Sequence, residues 1–445
     1  MPLLSFIVNS LRGLQIYFQR RVLSIFILGF SSGLPLMLVF GVLSFWLREA
    51  NVSRADIGYF SWVALAYAFK WLWSPLADHV QLPFLHQSLG RRRSWLLLSQ
   101  VTVIAAILAM AFTDPQHNLA LMAVFAIILA FASATQDINV DAFRIETAPD
   151  ELQAALAAAY LTGYRLAMIL ASAGTLWLAA LYSTSKEYEL LGWQLAYATM
   201  ALCMLPGLLT TLLSKEPQSH LQQNAKKTGH FKLINWFKVA VLASFIDFVQ
   251  RYKWHALLIL ALISCYRLSD IVMGVMANTF YVDMGYSKEE IASISKVFGV
   301  IMTLVGAALG GILINQFGIL RILFLGAILS AATNLLFATL STIGHDLTWL
   351  TLVISADNLS AGIATSAFIA YLSSLVNLAF TATQYAIFSS LMLLLPKFAG
   401  GFSGVLVQQL GYNQFFIVTA LLGLPALVLI LLLHKFNPKI KTTAK

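Results

Sequence analysis

Residues 118–143 read NLALMAVFAIILAFASATQDINVDAF, an apolar run long enough to cross the hydrocarbon core of a membrane that still carries Asp137 and Asp141. Similar runs recur from near Val22 to near Leu433, separated by short polar breaks. Of the 445 residues, 59% are hydrophobic and only 11% are charged, a composition that the surface of a water-soluble protein could not accommodate. The sequence therefore predicts an all-α protein with many membrane-spanning helices.

Twelve spans are predicted, six on each side of one long polar interruption. The predicted spans are 22–47, 56–77, 94–113, 118–143, 151–182, 191–213, 257–284, 288–315, 319–341, 347–377, 382–409 and 412–434. The interruption is rich in basic residues and predicts a cytoplasmic linker. Within it, Ile234, Phe237, Phe245 and Val249 predict an amphipathic helix at about 232–250. We expect an N-terminal bundle at 1–213, the linker at 214–256 and a C-terminal bundle at 257–445, the two six-helix bundles being pseudo-symmetric.

Basic residues in the loops predict the orientation of the chain, because Lys and Arg accumulate on the cytoplasmic side of a membrane. With both termini in the cytoplasm, the outer face keeps only Arg48, Arg54, Lys186 and Lys288. The remaining loop cations then lie inside and account for the formal net charge of +9 without a nucleic-acid partner. Contact with anionic lipids of the bilayer is expected instead.

Nine charged side chains fall inside predicted helices: Lys70, Asp137, Asp141, Arg165, Arg267, Asp270, Lys296, Asp357 and Lys397. At roughly 2.5–3.5 kcal/mol per central charge, nine unpaired charges would cost on the order of 20–30 kcal/mol. We therefore expect them to face one another or a wet cavity. They also repeat at half-length, since Lys70 corresponds to Lys296, and Arg165 to Lys397. Acids and bases placed around a shared cavity are typical of a secondary transporter.

The acidic members of this set are the candidates for handling protons. All eight histidines lie in loops or at predicted helix ends, which leaves the aspartates for this role. Burial favours the protonated carboxyl and a nearby cation favours the ionised one, so moving that cation can load or unload a proton. We expect proton coupling at Asp141, Asp270, Asp137 and Asp357. A static salt bridge or a gate is the alternative for each.

The basic members predict a cavity that suits an anionic or zwitterionic solute, because cations in a low dielectric attract carboxylates and phosphates strongly. Lys70, Arg165, Lys296 and Lys397 are the candidates for this contact, and Tyr164 could stack on a sugar ring or lie at the membrane interface. Neither a metal nor another cofactor is expected, because Cys203 and Cys265 lie at unrelated depths. An enzyme is not expected either, since neither a phosphate-binding loop nor a nucleophile beside a histidine is found.

One loop resembles a motif of the major facilitator superfamily. Ser74-Pro75-Leu76-Ala77-Asp78 is followed by Gly90-Arg91-Arg92-Arg93, and a weaker copy with Asn315, Gly318 and Arg321 stands in the second half. A carboxylate beside arginines at a helix end can hold one conformation through charge pairing. The predicted gating residues are Asp78, Arg91, Arg92, Arg93, Arg144 and Arg321.

Further segments resemble the AmpG-type muropeptide permeases of that superfamily. They are Ser32–Pro35, Phe69–Pro75, Ala134–Arg144, Gly163–Arg165, Tyr266–Asp270, Thr365–Phe368 and Phe380–Ala386. The resemblance implies a proton-driven importer of anhydro-muropeptides in the bacterial inner membrane, and we expect the protein to work as a monomer. It also implies that Arg267 joins the substrate-binding set. A siderophore or another anionic solute is the alternative cargo, and a receptor that binds without transport is the alternative of another class.

Overall fold

The structure is a computed structural model that describes residues 18–74, 77, 80–147, 150–183, 188–217, 243–375 and 381–436. Every regular element in these ranges is helical. The first membrane helices are α1 (Arg20–Glu49), α2 (54–72), α3 (Arg91–Ala111), α4 (Leu119–Thr147), α5 (150–182) and α6 (Leu190–Leu213). The others are α7 (His255–Asp283), α8 (288–317), α9 (Ile319–Ile343), α10 (Leu347–Leu375), α11 (381–410) and α12 (412–436). A linker helix, Ala243–Tyr252, precedes α7.

Ten helical stretches among the described residues are long and apolar enough to cross a membrane, and one of them, Ser403–Lys435, includes the end of α11 together with α12. The remaining two, α2 and α11, are broken. In α2 the 3-10 turns Ser61–Ala64 and Lys70–Leu72 interrupt the α-helix, and α11 consists of Thr381–Gly400 and the start of Ser403–Leu421. Gly411, with φ 75° and ψ 168°, breaks that last element and separates α11 from α12. The predicted order of twelve helices is therefore present. The part of the predicted amphipathic helix at 232–250 that precedes Ala243 lies outside the described residues.

Within the described ranges, three membrane helices contain wide π-helical turns, which are often found at functional positions. They are Leu38–Val42 in α1, Leu170–Gly174 in α5 and Ile291–Phe298 in α8. The turn in α1 follows Pro35, whose ring removes one backbone donor from the helix. The turn in α8 contains Lys296, so this cation projects from a locally widened helix.

The described chain divides into two compact units. The first comprises residues up to 43 together with 69–230, and the second comprises 44–68 together with the chain from 231 onward. The end of α1 and the beginning of α2 are thus grouped with the second half of the sequence. The bundle boundaries expected at 213 and 257 stay a prediction.

In the first unit, α1 and α5 pack with their backbones in contact. A Cβ added at Gly33 would lie 2.4 Å from the carbonyl oxygen of Tyr164, and one added at Gly29 would lie 2.4 Å from that of Tyr160. Both positions therefore require glycine. This close approach places Tyr160 and Tyr164 beside α1, where the functional cluster described below begins.

In the second unit, aromatic side chains fill the core between α7 and α10. Tyr266 stacks on Phe368 with ring centroids 4.5 Å apart, and its hydroxyl donates to the carbonyl oxygen of Leu323 in α9. Phe248 of the linker helix is buried and contacts Phe388 of α11 edge to face. The linker helix is therefore attached to this core.

The substitution Gly33→Ala is expected to destabilise the protein by about 1–3 kcal/mol, because the new methyl group would overlap the α5 backbone. The measurement is the midpoint of thermal unfolding in detergent. Gly274→Ala in α7 is the matched control, since a Cβ there has open space around it and alanine favours a helix. An equal midpoint for the two variants would contradict the close packing of α1 on α5.

Candidate functional site

The first candidate cluster surrounds Asp137 in α4. This residue is only 6% exposed, and its Oδ1 atom has no hydrogen-bond partner among the described residues. Ser32 of α1 lies beside the carboxyl group and also accepts from Nε2 of the neighbouring Gln136 at 3.4 Å. Gln136 donates in addition to Ser31 at 3.1 Å. A buried carboxyl group with a free oxygen is therefore held between α1 and α4.

Lys70 and Asp141 complete the charges around Asp137. Lys70 lies at the 3-10 turn of α2 that packs against α4, and its ammonium group interacts electrostatically with both carboxylates. Asp141 is one helical turn from Asp137 and pairs with Arg144 at 3.7 Å. The structure thus brings together Lys70, Asp137, Asp141 and Arg144, all of which were singled out from the sequence.

Two tyrosines of α5 border the same cluster. The rings of Tyr160 and Tyr164 are 5.9 Å apart, and both interact electrostatically with the two aspartates. The guanidinium group of Arg144 lies 5.9 Å from the centre of the Tyr160 ring. Arg165, by contrast, is exposed and contacts the sulfur of Met168 at 3.8 Å. Sequence reasoning singles out Tyr164 but misses Tyr160, although the two are four residues apart on one helix.

The second unit contains its own charged cluster. Arg267 and Asp270 form an ion pair within α7, as their i to i+3 spacing suggests. Asp357 of α10 accepts a hydrogen bond from Thr333 of α9 at 3.0 Å and interacts electrostatically with both members of that pair. Tyr281 interacts with Asp357 and with Ser295 of α8. These contacts join α7, α8, α9 and α10 at one polar centre.

The two remaining interior lysines have neutral partners. The amine of Lys296 donates to Oδ1 of Asn278 at 2.5 Å, and Nδ2 of Asn278 donates to Ser44 of α1 at 3.3 Å. Lys397 donates to the carbonyl oxygen of Ala64 at 3.1 Å, where α2 is wound as a 3-10 turn. Lys296 is therefore placed by an amide, whereas Lys397 also connects α11 to α2.

Most of the predicted gating arginines form a separate network at one end of the first unit. Arg92 is almost fully buried and pairs with Glu146 of α4 at 2.7 Å, and Arg91 approaches the same carboxylate at 3.4 Å. Glu216 accepts from the backbone amides of Arg92 and Arg93 at 2.8 and 3.1 Å, which compensates the free donors at the start of α3.

The same network reaches α6 through Arg93, which donates to the carbonyl oxygen of Thr211 at 2.8 Å. Glu146 and Glu216 were not predicted from the sequence. The three adjacent arginines could have indicated them, because three neighbouring cations need carboxylates as counter-charges. Among the other predicted gating residues, Arg144 lies beside Asp141, Arg321 is exposed, and Asp78 lies outside the described residues. The predicted roles of all these site residues stay predictions.

The helical fold with clustered interior charges defines a multi-pass membrane transporter. The sequence matches the profile of the Major Facilitator Superfamily over residues 25–396. The chain is 37% identical to the anhydromuropeptide permease of Escherichia coli K12 over 94% of this chain and 80% of that protein. It is 34% identical to the putative transporter AmpG 4 of Rickettsia felis, over 95% and 98% of the two chains. This chain belongs to the AmpG-type permease family of the Major Facilitator Superfamily.

Solved structures agree on the fold. A D-xylose-proton symporter superimposes with a TM-score of 0.67 at 14% sequence identity, covering 96% of this chain and 99% of that one. The nucleoside transporter NupG gives a TM-score of 0.67 at 15% identity, covering 94% of this chain and all of that one. The predicted fold class and family are confirmed, and the chain is a transporter and not an enzyme.

The buried pair of Arg92 and Glu146 is expected to stabilise the end of the first unit. Arg92→Gln and Glu146→Gln should each lower the thermal midpoint, because each leaves a buried charge without its partner. The double variant should lose less than the sum of the two, with a coupling of about 0.5–3 kcal/mol. Arg321→Gln, at an exposed arginine, is the control and should leave the midpoint unchanged. Strict additivity would argue against the pair.

Proposed function

We propose that this chain is a proton-coupled importer of anhydro-muropeptides, N-acetylglucosamine-anhydromuramyl peptides released from the cell wall. The printed name of the Escherichia coli relative, an anhydromuropeptide permease, supports this solute at 37% identity. The observation that carries the proposal is that Lys70 interacts with both the buried Asp137 and the half-exposed Asp141. A cation shared by two carboxylates in a low dielectric is equipped both to bind an anion and to control a proton.

Competition for Lys70 couples the solute to the proton. The ammonium group of Lys70 favours the ionised form of both aspartates, while burial favours the protonated form. When a carboxylate of the peptide part of the solute engages Lys70, the aspartates lose part of their counter-charge. A proton then binds, and the free Oδ1 atom of Asp137 can receive it. Release of the solute returns Lys70 to the aspartates and expels the proton.

In the second unit, Lys296 takes the role of binding an anionic group of the solute, and the polar centre around Asp357 takes the role of handling a proton. Lys296 is held by the neutral side chain of Asn278, so its charge is available to an anionic group of the solute. Arg267 forms an ion pair with Asp270, and Asp357 accepts a hydrogen bond from Thr333. Uptake of a proton at this centre therefore requires the Arg267–Asp270 ion pair to rearrange. Tyr164 in the first unit supplies an aromatic face for a sugar ring, and Arg165 and Lys397 complete the proposed cationic set.

The surroundings of the protein follow from the same proposal. The chain works as a monomer in the bacterial inner membrane, with both termini in the cytoplasm. The excess of loop arginines and lysines on the proposed inner face supports this orientation. Importing cell-wall fragments requires this location, because the solute is released in the periplasm and reused in the cytoplasm.

Proteoliposomes test the coupling. Under an inward proton gradient, the wild-type protein should accumulate labelled anhydro-muropeptide. Asp137→Asn and Asp141→Asn should lose accumulation by about tenfold or more while still exchanging labelled for unlabelled solute, because a neutral amide cannot take up and release the proton. Glu289→Gln, at an exposed carboxylate in α8, is the matched control and should transport normally.

Two results would contradict this proposal. Gradient-driven accumulation at the wild-type level by both aspartate variants would exclude coupling through this cluster. Binding of labelled solute with no exchange by the wild-type protein would favour a receptor over a transporter.

Lys70→Gln is expected to weaken binding of the acidic solute, since it removes the cation that its carboxylates meet. The apparent affinity for anhydro-muropeptide should fall about tenfold or more, whereas competition by the uncharged disaccharide part should change little. Lys435→Gln, outside the cluster, is the control. Competition by a ferric chelate together with no competition by anhydro-muropeptide would assign the site to the other anionic cargo.

A further inference from the structure

A carboxylate outside both clusters is surrounded by three partners. Asp283, at the end of α7, has a side chain only 7% exposed and forms ion pairs with Arg48 and with Arg54, the latter at 2.7 Å. Its Oδ2 atom also accepts from the hydroxyl group of Tyr412 in α12. The guanidinium group of Arg54 lies 5.4 Å from the centre of the Tyr412 ring. The end of α1 and the beginning of α2 are thus bound to α7 and α12 through one buried charge.

A second ion pair lies at the same end of these helices. Lys288 at the start of α8 pairs with Glu49 at the end of α1 at 3.0 Å, and their side chains are only 9% and 15% exposed. Helix α1 is therefore bound to α7 through Arg48 and to α8 through the next residue. The sequence predicts no role for Asp283 and Glu49, and it predicts only the orientation of the chain from Arg48, Arg54 and Lys288.

Beneath these ion pairs, α2 meets α11 in a close-packed seam. A Cβ added at Gly404 would lie 1.6 Å from the carbonyl oxygen of Arg54, so the two backbones are in contact. About two turns further into α2, the indole of Trp62 donates to the carbonyl oxygen of Phe398 at 2.9 Å and stacks on the Phe398 ring. The hydroxyl group of Ser61, next to this indole, is buried. The packing of α2 on α11 therefore covers the hydroxyl oxygen of Ser61.

The chemistry of this closure suits a contact that separates and reforms. A buried ion pair gains little net stability over an apolar contact of the same size, because both charges must be removed from water. On separation the charges are hydrated again, which offsets the loss of their attraction. An apolar surface of equal area would lose its full burial energy on exposure. The ion pairs of Asp283 and of Glu49 thus hold this end of the helices closed, while the free energy needed to open it stays small.

We propose that Asp283 is the gating residue of this end of the transporter, and that transport requires Arg48 and Arg54 to leave Asp283 and return to it in each cycle. Proteins of this class work by alternating access, in which each end of the substrate route opens in turn. The proposal rests on the transporter class of the chain and is independent of the solute proposed above. Tyr412 positions the carboxylate between the two arginines.

Labelling of a cysteine inside the seam tests this gate. Cys203→Ala and Cys265→Ala remove the native thiols, and Ser61→Cys introduces the reporter. The purified full-length protein in detergent is treated with a bulky, membrane-impermeant maleimide, and the rate of modification is followed by mass spectrometry. Because no solute is needed, the result is separate from the uptake assays, and either proposal can fail alone.

Asp283→Asn is expected to speed labelling about tenfold, since the amide releases both arginines. Asp283→Glu keeps the charge and should restore slow labelling. Arg48→Gln and Arg54→Gln should each speed labelling, and adding Asp283→Asn to either should give no further increase. These two variants also carry the test if Asp283→Asn does not fold.

Two controls separate gating from general loosening. Glu289→Gln removes an exposed carboxylate of α8 near the same end of the helices. Gly33→Ala destabilises the first unit at a position that does not contact Asp283, Arg48 or Arg54. Both should label as slowly as the parent. Unchanged labelling in Asp283→Asn, Arg48→Gln and Arg54→Gln would overturn the proposal. Equally fast labelling in either control would overturn it as well.

Discussion

Charge inside a hydrocarbon layer has to be compensated within the protein, and this constraint determines which helices of the structure meet. A single charge at the centre of a membrane helix costs a few kcal/mol when it stands alone. Each interior charge therefore needs a partner from its own helix or from a neighbouring one. Arg267 finds Asp270 one turn away, whereas Asp137 depends on Lys70 from a different helix. Pairings of the second kind fix the rotation of one helix against another.

The sequence predicts whatever depends on one helix at a time. Hydrophobic runs of membrane length predict the order of the helices, and the observed bounds differ from the predicted ones by a few residues. The Arg267–Asp270 pair follows from its i to i+3 spacing alone. Asp137 and Asp141 share one face for the same reason, and both face the cluster. In these cases the relevant distances are set by helix geometry, which the sequence specifies directly.

The sequence does not predict contacts that depend on rotation and packing between helices. Arg165 and Lys70 look equivalent as interior cations, yet Lys70 faces the aspartates and Arg165 is exposed. Arg54 and Asp283 are 229 residues apart, and no local pattern indicates that they pair. The breaks in α2 are also unexpected, because a 3-10 turn there depends on what α11 offers to the freed carbonyl groups. The amine of Lys397 on Ala64 is one such contact.

The contrast between two buried aspartates shows how similar burial produces different behaviour. Both carboxylate oxygens of Asp283 are occupied by two guanidinium groups and a phenol, so this side chain can respond only by losing partners. One oxygen of Asp137 has no hydrogen-bond partner in the part of the chain that the structure describes, and its main counter-charge is a lysine on a flexible stem. A carboxylate of the first kind can hold helices together. One of the second kind can change its protonation state when the lysine moves, which is what a proton-coupled transporter requires.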